Sequence, residues 1–74
     1  MKARPWFVIV RDSARARKPR TLVGIRFPPD GSTIYRWAAR APHPIRFATV
    51  AEAQTYLDRL PPEERPGCRV EPLP

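Results

Sequence analysis

With one cysteine, one histidine and three glycines in 74 residues, the chain lacks the raw material for several kinds of chemistry. A single thiol, Cys68, excludes an internal disulfide framework, and one histidine, His43, flanked by Pro42 and Pro44, leaves no Cys/His set for a zinc staple. The glycines at 24, 31 and 67 never come close enough to cradle a phosphate, and neither a G-x-S-x-G nor an H-E-x-x-H occurs. The serines, Ser13 and Ser32, fall in a basic stretch and just after a turn. Glu63 and Glu64 sit side by side in a proline-bounded turn, where nothing would desolvate a catalytic carboxylate. Cys68 reads as a small inward hydrophobe. A domain this thin also has little depth for a concave pocket. The chain is therefore expected to be no enzyme, with no metal site and no cofactor.

Long apolar runs are absent as well. The longest, Trp6 to Val10, has five residues after a basic start, too short for the apolar region of a signal peptide and far too short for a membrane span. A cytoplasmic protein with no membrane contact is the expectation. The chain, residues 1–74, has room for one domain. At this size roughly 60% of the unfolded surface is buried, and one core supplies on the order of 3–5 kcal/mol.

What is abundant is positive charge, +7 net, and it is unevenly spread. Residues 1–46 hold 11 Lys/Arg and 2 Asp/Glu, which gives +9, whereas residues 47–74 hold 3 and 5, which gives −2. Such asymmetry points to an anionic partner, nucleic acid or an acidic protein face, without choosing between them. Arginine outnumbers lysine 12 to 2, but alanine and proline are plentiful too, and GC-rich coding enriches all three.

Periodicity divides the chain into five elements. "WFVIVR" (6–11) reads as a strand, rich in aromatic and β-branched residues. The basic stretch 12–20 connects it to "TLVGIRF" (21–27), which alternates as a second strand. "PPDG" (28–31) supplies a preset φ and a glycine for a reverse turn, and "TIYRWAAR" (33–40) alternates again as the third strand of a hairpin. Prolines at 42 and 44 interrupt regular structure. In "TVAEAQTYLDRLPP", Thr49 and Glu52 form a capping box, the Glu52 carboxylate reaching back to the Thr49 amide, and Val50, Ala53, Leu57 and Leu60 make an apolar stripe flanked by Tyr56. The helix spans about 50–60 and Pro61 and Pro62 end it. "CRVE" (68–71) is a short last strand, its following Pro72 suited to an edge or an end. The fold class is α+β, β-β-β-α-β, a mostly antiparallel sheet with one helix packed on one face.

A short helix needs a sheet to lie on, and the richer face is the natural choice. That face joins Trp6, Val8 and Val10 to Val23, Ile25 and Phe27 and to Tyr35 and Trp37. Strict alternation then leaves Phe7, Ile9 and Arg11, Leu22, Gly24 and Arg26, and Ile34, Arg36, Ala38 and Arg40 on the open face. Two binding sites follow. Arg11, Arg15, Arg17, Lys18, Arg20, Arg26, Arg36 and Arg40 form a candidate nucleic-acid surface of loop and sheet. With about six phosphates neutralised, it would give a salt slope of log K near −5. Alternatively, Phe7, Ile9, Leu22 and Ile34 dock on a protein while the arginines steer its approach. A homodimer through the sheet edge or face is compatible with either. The plainer account is that the basic loop is a solvated surface that keeps a small protein soluble.

The stretch "FATVAEAQTYLDRL" (47–60) resembles the strand-to-helix entry of small three-stranded-sheet-plus-helix DNA-binding domains, the plant AP2-type domains and the arm-type domains of phage integrases, where F-x-T-x-x-E-A precedes an apolar helix. That resemblance implies DNA binding by the sheet through strand arginines and a tryptophan, at Arg26, Arg36 and Trp37. By size and charge the chain is also similar to small phage-encoded regulators of host machinery, inhibitors or antiterminators acting on RNA polymerase or proteins acting on defence complexes. The two resemblances imply a nucleic-acid-associated transcription-regulatory protein and a protein-binding inhibitor respectively.

Overall fold

The computed structural model describes residues 5–12, 18–40 and 42–73. Strands β1 (Phe7–Arg11), β2 (Arg20–Arg26) and β3 (Ile34–Ala38) are followed by helix α1 (Val50–Asp58) and strand β4 (Cys68–Pro72). The strands form one antiparallel sheet in the order β3-β2-β1-β4. This is the expected α+β arrangement, and the last strand finds its place on the outer side of β1. The molecule is elongated, 46 × 28 × 21 Å.

Helix α1 starts as its capping residues dictate. Thr49 is extended, and its hydroxyl accepts the Glu52 amide at 3.1 Å. The Glu52 carboxylate reaches one residue further back than expected, accepting from Ala48 N–H at 3.3 Å. Ala53, Leu57 and Leu60 are buried, whereas Val50 is half exposed and stands outside the stripe. Leu57 and Leu60 pack on Ile9 and Leu22, and Cys68, Val70, Tyr35 and Trp37 close around them.

That core reverses the expected face of β1. Ile9, not Val8 and Val10, lies beneath the helix, and Val8 and Val10 are buried on the opposite side. There they form the floor of a depression walled by Pro19, Thr21, Glu71 and Leu73. The cause is register: Ile9 pairs with Val70 and Arg11 with Cys68, so the inward residues of β4 draw the odd-numbered residues of β1 with them. Trp6 is half buried, with the Arg46 guanidinium 4.9 Å from its ring centre.

In β2 the alternation itself breaks. Leu22 pairs with Trp37 but Gly24 pairs with Arg36, so Val23 is an extra residue opposite nothing. The bulge puts Leu22 and Ile25, three residues apart, on the covered face with Trp37 and Tyr35. Leu22 therefore belongs to the core rather than to the open face. Phe27, expected beneath the helix, is 77% exposed.

Strands β1 and β2 pair only at Val10–Thr21 and Arg11–Arg20. Beyond that their backbone groups need other partners, and the proline-rich connection supplies them. Ile45 N–H donates to the Leu22 carbonyl at 3.1 Å, and Phe7 and Phe47 exchange two hydrogen bonds of 2.8 Å. Segment 45–47 thus fills the split between the β2–β3 hairpin and the β1–β4 pair, and its Phe47 ring meets Tyr56 of the helix at 5.4 Å.

The turn before β4 closes against the end of β1. Asp12 N–H donates to the Gly67 carbonyl at 3.0 Å, and a Cβ on Gly67 would stand 2.5 Å from the Asp12 carbonyl oxygen, at a φ of 79°. Gly31 has a similar φ of 86° but open space around it. Gly31→Ala is expected to cost about 1 kcal/mol, from the left-handed backbone alone. Gly67→Ala is expected to cost clearly more, and urea unfolding of the two variants side by side isolates the clash. Leu57→Ala is expected to remove about 2–4 kcal/mol, most of the stability of so small a domain, in the same measurement.

Candidate nucleic-acid interface

The register sorts the sequence-derived basic residues onto different surfaces. Arg26 pairs with Ile34, and Ile34 and Arg36 are two residues apart in β3, so all three share the face away from the helix. Gly24, opposite Arg36, and Ala38, opposite Thr21, keep that face low. Arg26 and Arg36 are exposed there, as the alternation of the strands foretold, and Arg40 is exposed just beyond the end of β3. Among the described residues none of these three forms an ion pair.

Arg11 does not join them. It lies on the helix side, its Nη1 donating to Glu64 Oε2 at 2.6 Å and its guanidinium 5.7 Å from the centre of the Trp37 ring. The reversal of β1 that carried Ile9 inward carried Arg11 with it. Arg20 pairs directly with Arg11 and so shares its face, although Arg20 is exposed at the end of the strand. Lys18 is exposed beside it. Arg15 and Arg17 lie outside the described residues.

The candidate protein-docking set is corrected more heavily. Ile9 and Leu22 have no exposed surface at all and form the centre of the core. Phe7 is half buried and bridged to Phe47. Of the four, Ile34 alone remains open, 48% exposed on the hairpin. Trp37, the tryptophan that the DNA-binding resemblance would place against DNA, packs on the core beneath Arg11.

By count, residues 42–73 nearly balance their own charges, with four arginines against five carboxylates. On the open face of β4, Arg69 is bound to Asp12 and also reaches Glu71 at 3.3 Å, and the Asp12 hydrogen bond holds its guanidinium even more firmly protonated than usual. Residues 18–40 instead carry Lys18, Arg20, Arg26, Arg36 and Arg40 against Asp30 alone. That carboxylate is turned into its own loop, where Oδ1 accepts from the Ser32 hydroxyl at 2.6 Å and the Ser32 amide at 2.9 Å. Both bonds favour its ionised form and hold it below the usual carboxylate range. Among the described residues, positive charge in excess of acidic charge is therefore concentrated on the β2–β3 hairpin. The sequence pattern missed one feature there, the exposure of Phe27, because alternation assigns a face without marking where the strand ends, and β2 ends at Arg26.

The described residues contain no group of three His, Cys, Asp or Glu that could hold a metal ion, and no helix among them is long and apolar enough to cross a membrane. Cys68 is half buried, its Sγ donating to the Glu64 carbonyl at 3.1 Å. Burial pushes its thiol up, Arg11 opposing and the Glu64 charge adding to the shift. Above the ordinary thiol range the unfolded chain releases a proton that the folded chain retains, so stability falls as the pH rises through that range. Alkylation by iodoacetamide at mildly alkaline pH is expected to be severalfold slower in the folded protein than in urea, as followed by mass spectrometry. Comparison with known proteins returned no matching family model, no matching curated protein and no matching solved structure.

Proposed function

We propose that this chain is a non-enzymatic basic binding module that associates with nucleic acid through the open face of the β2–β3 hairpin, as an accessory or transcription-regulatory protein would. One observation carries the reading. Residues 18–40 hold five cations against the one carboxylate of Asp30, which is turned into its own loop, whereas residues 42–73 hold four arginines against five carboxylates; Arg26, Arg36 and Arg40 form no ion pair among the described residues. Charges paired internally are spent on the fold. Charges left unpaired on one ribbon remain free to neutralise phosphates, releasing the counterions that give such binding its salt dependence.

Shape supports the same reading. A two-stranded antiparallel ribbon is of a width that the major groove of B-DNA admits, and the small residues Gly24, Thr21 and Ala38 let the arginines at its margins approach a backbone. Phosphate contacts of this kind position a protein without reading sequence. The protein-docking alternative keeps Ile34 from its original set, since the other three members are wholly or partly buried.

Fluorescence anisotropy with a labelled duplex of about 20 base pairs tests the proposal. With about four phosphates neutralised, log K is expected to fall with log salt at a slope near −3.6. Arg26→Ala together with Arg36→Ala is expected to weaken binding and flatten the slope by about 2, while Arg69→Ala leaves the slope unchanged. Affinity that stays level between about 50 and about 200 mM salt, or a double variant that binds normally, would overturn it.

A further inference from the structure

We propose that the outer edge of β3 receives an extended acidic segment of a partner protein, which adds to the sheet as a further strand. This goes beyond the nucleic-acid reading and does not rest on it, since that reading uses the face of the hairpin and this one its edge.

A sheet in the order β3-β2-β1-β4 has two outer edges, and they differ. Leu73 N–H donates to the Trp6 carbonyl at 2.7 Å and Asp12 N–H to the Gly67 carbonyl at 3.0 Å, so Arg69 and Glu71, in step with Gly67 and Leu73, direct their backbone groups to β1. Cys68, Val70 and Pro72 direct theirs outward. The Cys68 N–H is taken by the Arg65 carbonyl at 3.0 Å, and Pro72 has none to offer. Among the described residues Val70 is left as the one free donor on that edge, which is closed to strand addition in the way natural edges usually are.

The edge of β3 carries no such protection. Because Val10 and Asp12 face β4, Arg11 faces β2, and its partner Arg20 faces back; Thr21 then faces β3, and its partner Ala38 faces β2. The Leu22 carbonyl, in step with Arg20, accepts from Ile45 on the β1 side, as this order requires. Ile34 and Arg36 keep step with Ala38, so the backbones of Tyr35 and Trp37 point away from the sheet. The bulge lies in β2 and leaves the alternation of β3 intact. Among the described residues, neither Tyr35 nor Trp37 makes a backbone hydrogen bond outside the sheet.

Two N–H donors and two carbonyl acceptors along an extended edge are matched by another peptide backbone. A phosphate backbone offers acceptors alone and would leave the carbonyls unmet. Charge and packing then say which peptide. Arg36 is exposed on the open face between Tyr35 and Trp37 and forms no ion pair among the described residues, so the position opposite it favours a carboxylate. On the other face helix α1 lies mainly over β1 and β4, which leaves Tyr35 and Trp37 half buried, and the neighbouring positions favour apolar side chains. A segment alternating acidic with apolar residues meets both demands. A second copy of this chain does not: antiparallel pairing of two β3 edges over most of their length sets Arg36 opposite or diagonal to its own copy, and like charges so placed destabilise the pair.

The test uses a synthetic peptide of about ten residues alternating valine with glutamate, and measures amide hydrogen exchange in the full chain by NMR. In the free protein the Tyr35 and Trp37 amides are expected to exchange faster than those of Arg36 and Ala38, and saturating peptide is expected to slow Tyr35 and Trp37 severalfold. Methylating the alternate peptide nitrogens that would bond β3 is expected to lower affinity about tenfold. A peptide with lysine in place of glutamate is expected to bind less tightly, and Arg36→Glu, at an exposed position, is expected to reverse that preference. Absence of binding, binding indifferent to methylation, or equal affinity for the lysine peptide would overturn the proposal and leave the nucleic-acid reading standing. Protection of Tyr35 and Trp37 that rises with protein concentration in the absence of peptide would name a second copy as the occupant, and would overturn it too.

Discussion

The contact between Ile9 and Leu22 holds the two halves of this molecule together. On one side stand β1, β4 and the helix, and on the other the β2–β3 hairpin, joined along only two residue pairs of the β1–β2 ladder. So short a ladder would not by itself fix the hairpin. Ile9 and Leu22, both without exposed surface, meet under Leu57 and Leu60, and burial of their side chains contributes about 1.5–3 kcal/mol each. Segment 45–47 then satisfies the backbone groups that the split leaves over. The prolines at 42 and 44, which interrupt regular structure, deliver that segment to the gap.

The same split separates the charges. Register in the β1–β4 pair turns Arg11 toward Glu64 and Arg69 toward Asp12 and Glu71, so those two strand arginines are paired within the fold. The hairpin has a single acid, and its turn consumes it. Neither outcome depends on the strength of any one surface ion pair, which is worth little in water. It depends on where the strands put the side chains. The proposed binding face and the stable half are thus built from different residues, and losing an arginine on the hairpin leaves the core untouched.

Much of the fold was legible in the residues. The five elements, their order and their approximate limits followed from alternation, turn chemistry and a capping box, all of which act within a few residues of chain. "PPDG" marked a hairpin because proline and glycine preset its backbone angles, and Thr49 marked a helix start because its hydroxyl competes for a free amide. Arg26, Arg36 and Ile34 were placed together on an open face for the same local reason: two strands joined by a tight turn have few registers open to them.

Local pattern alone determined the elements, the antiparallel hairpin and the concentration of positive charge in the first part of the chain. Only the tertiary structure decided which face of β1 lies beneath the helix, where β4 docks, and that Val23 is an extra residue. Trp6–Val10 is apolar on both sides, so its pattern holds no preference, and the choice fell to Val70 and Cys68, about sixty residues away in sequence. A one-residue bulge then returned Leu22 to the core. Both decisions come from pairing between distant strands, where a single step in register exchanges inside for outside.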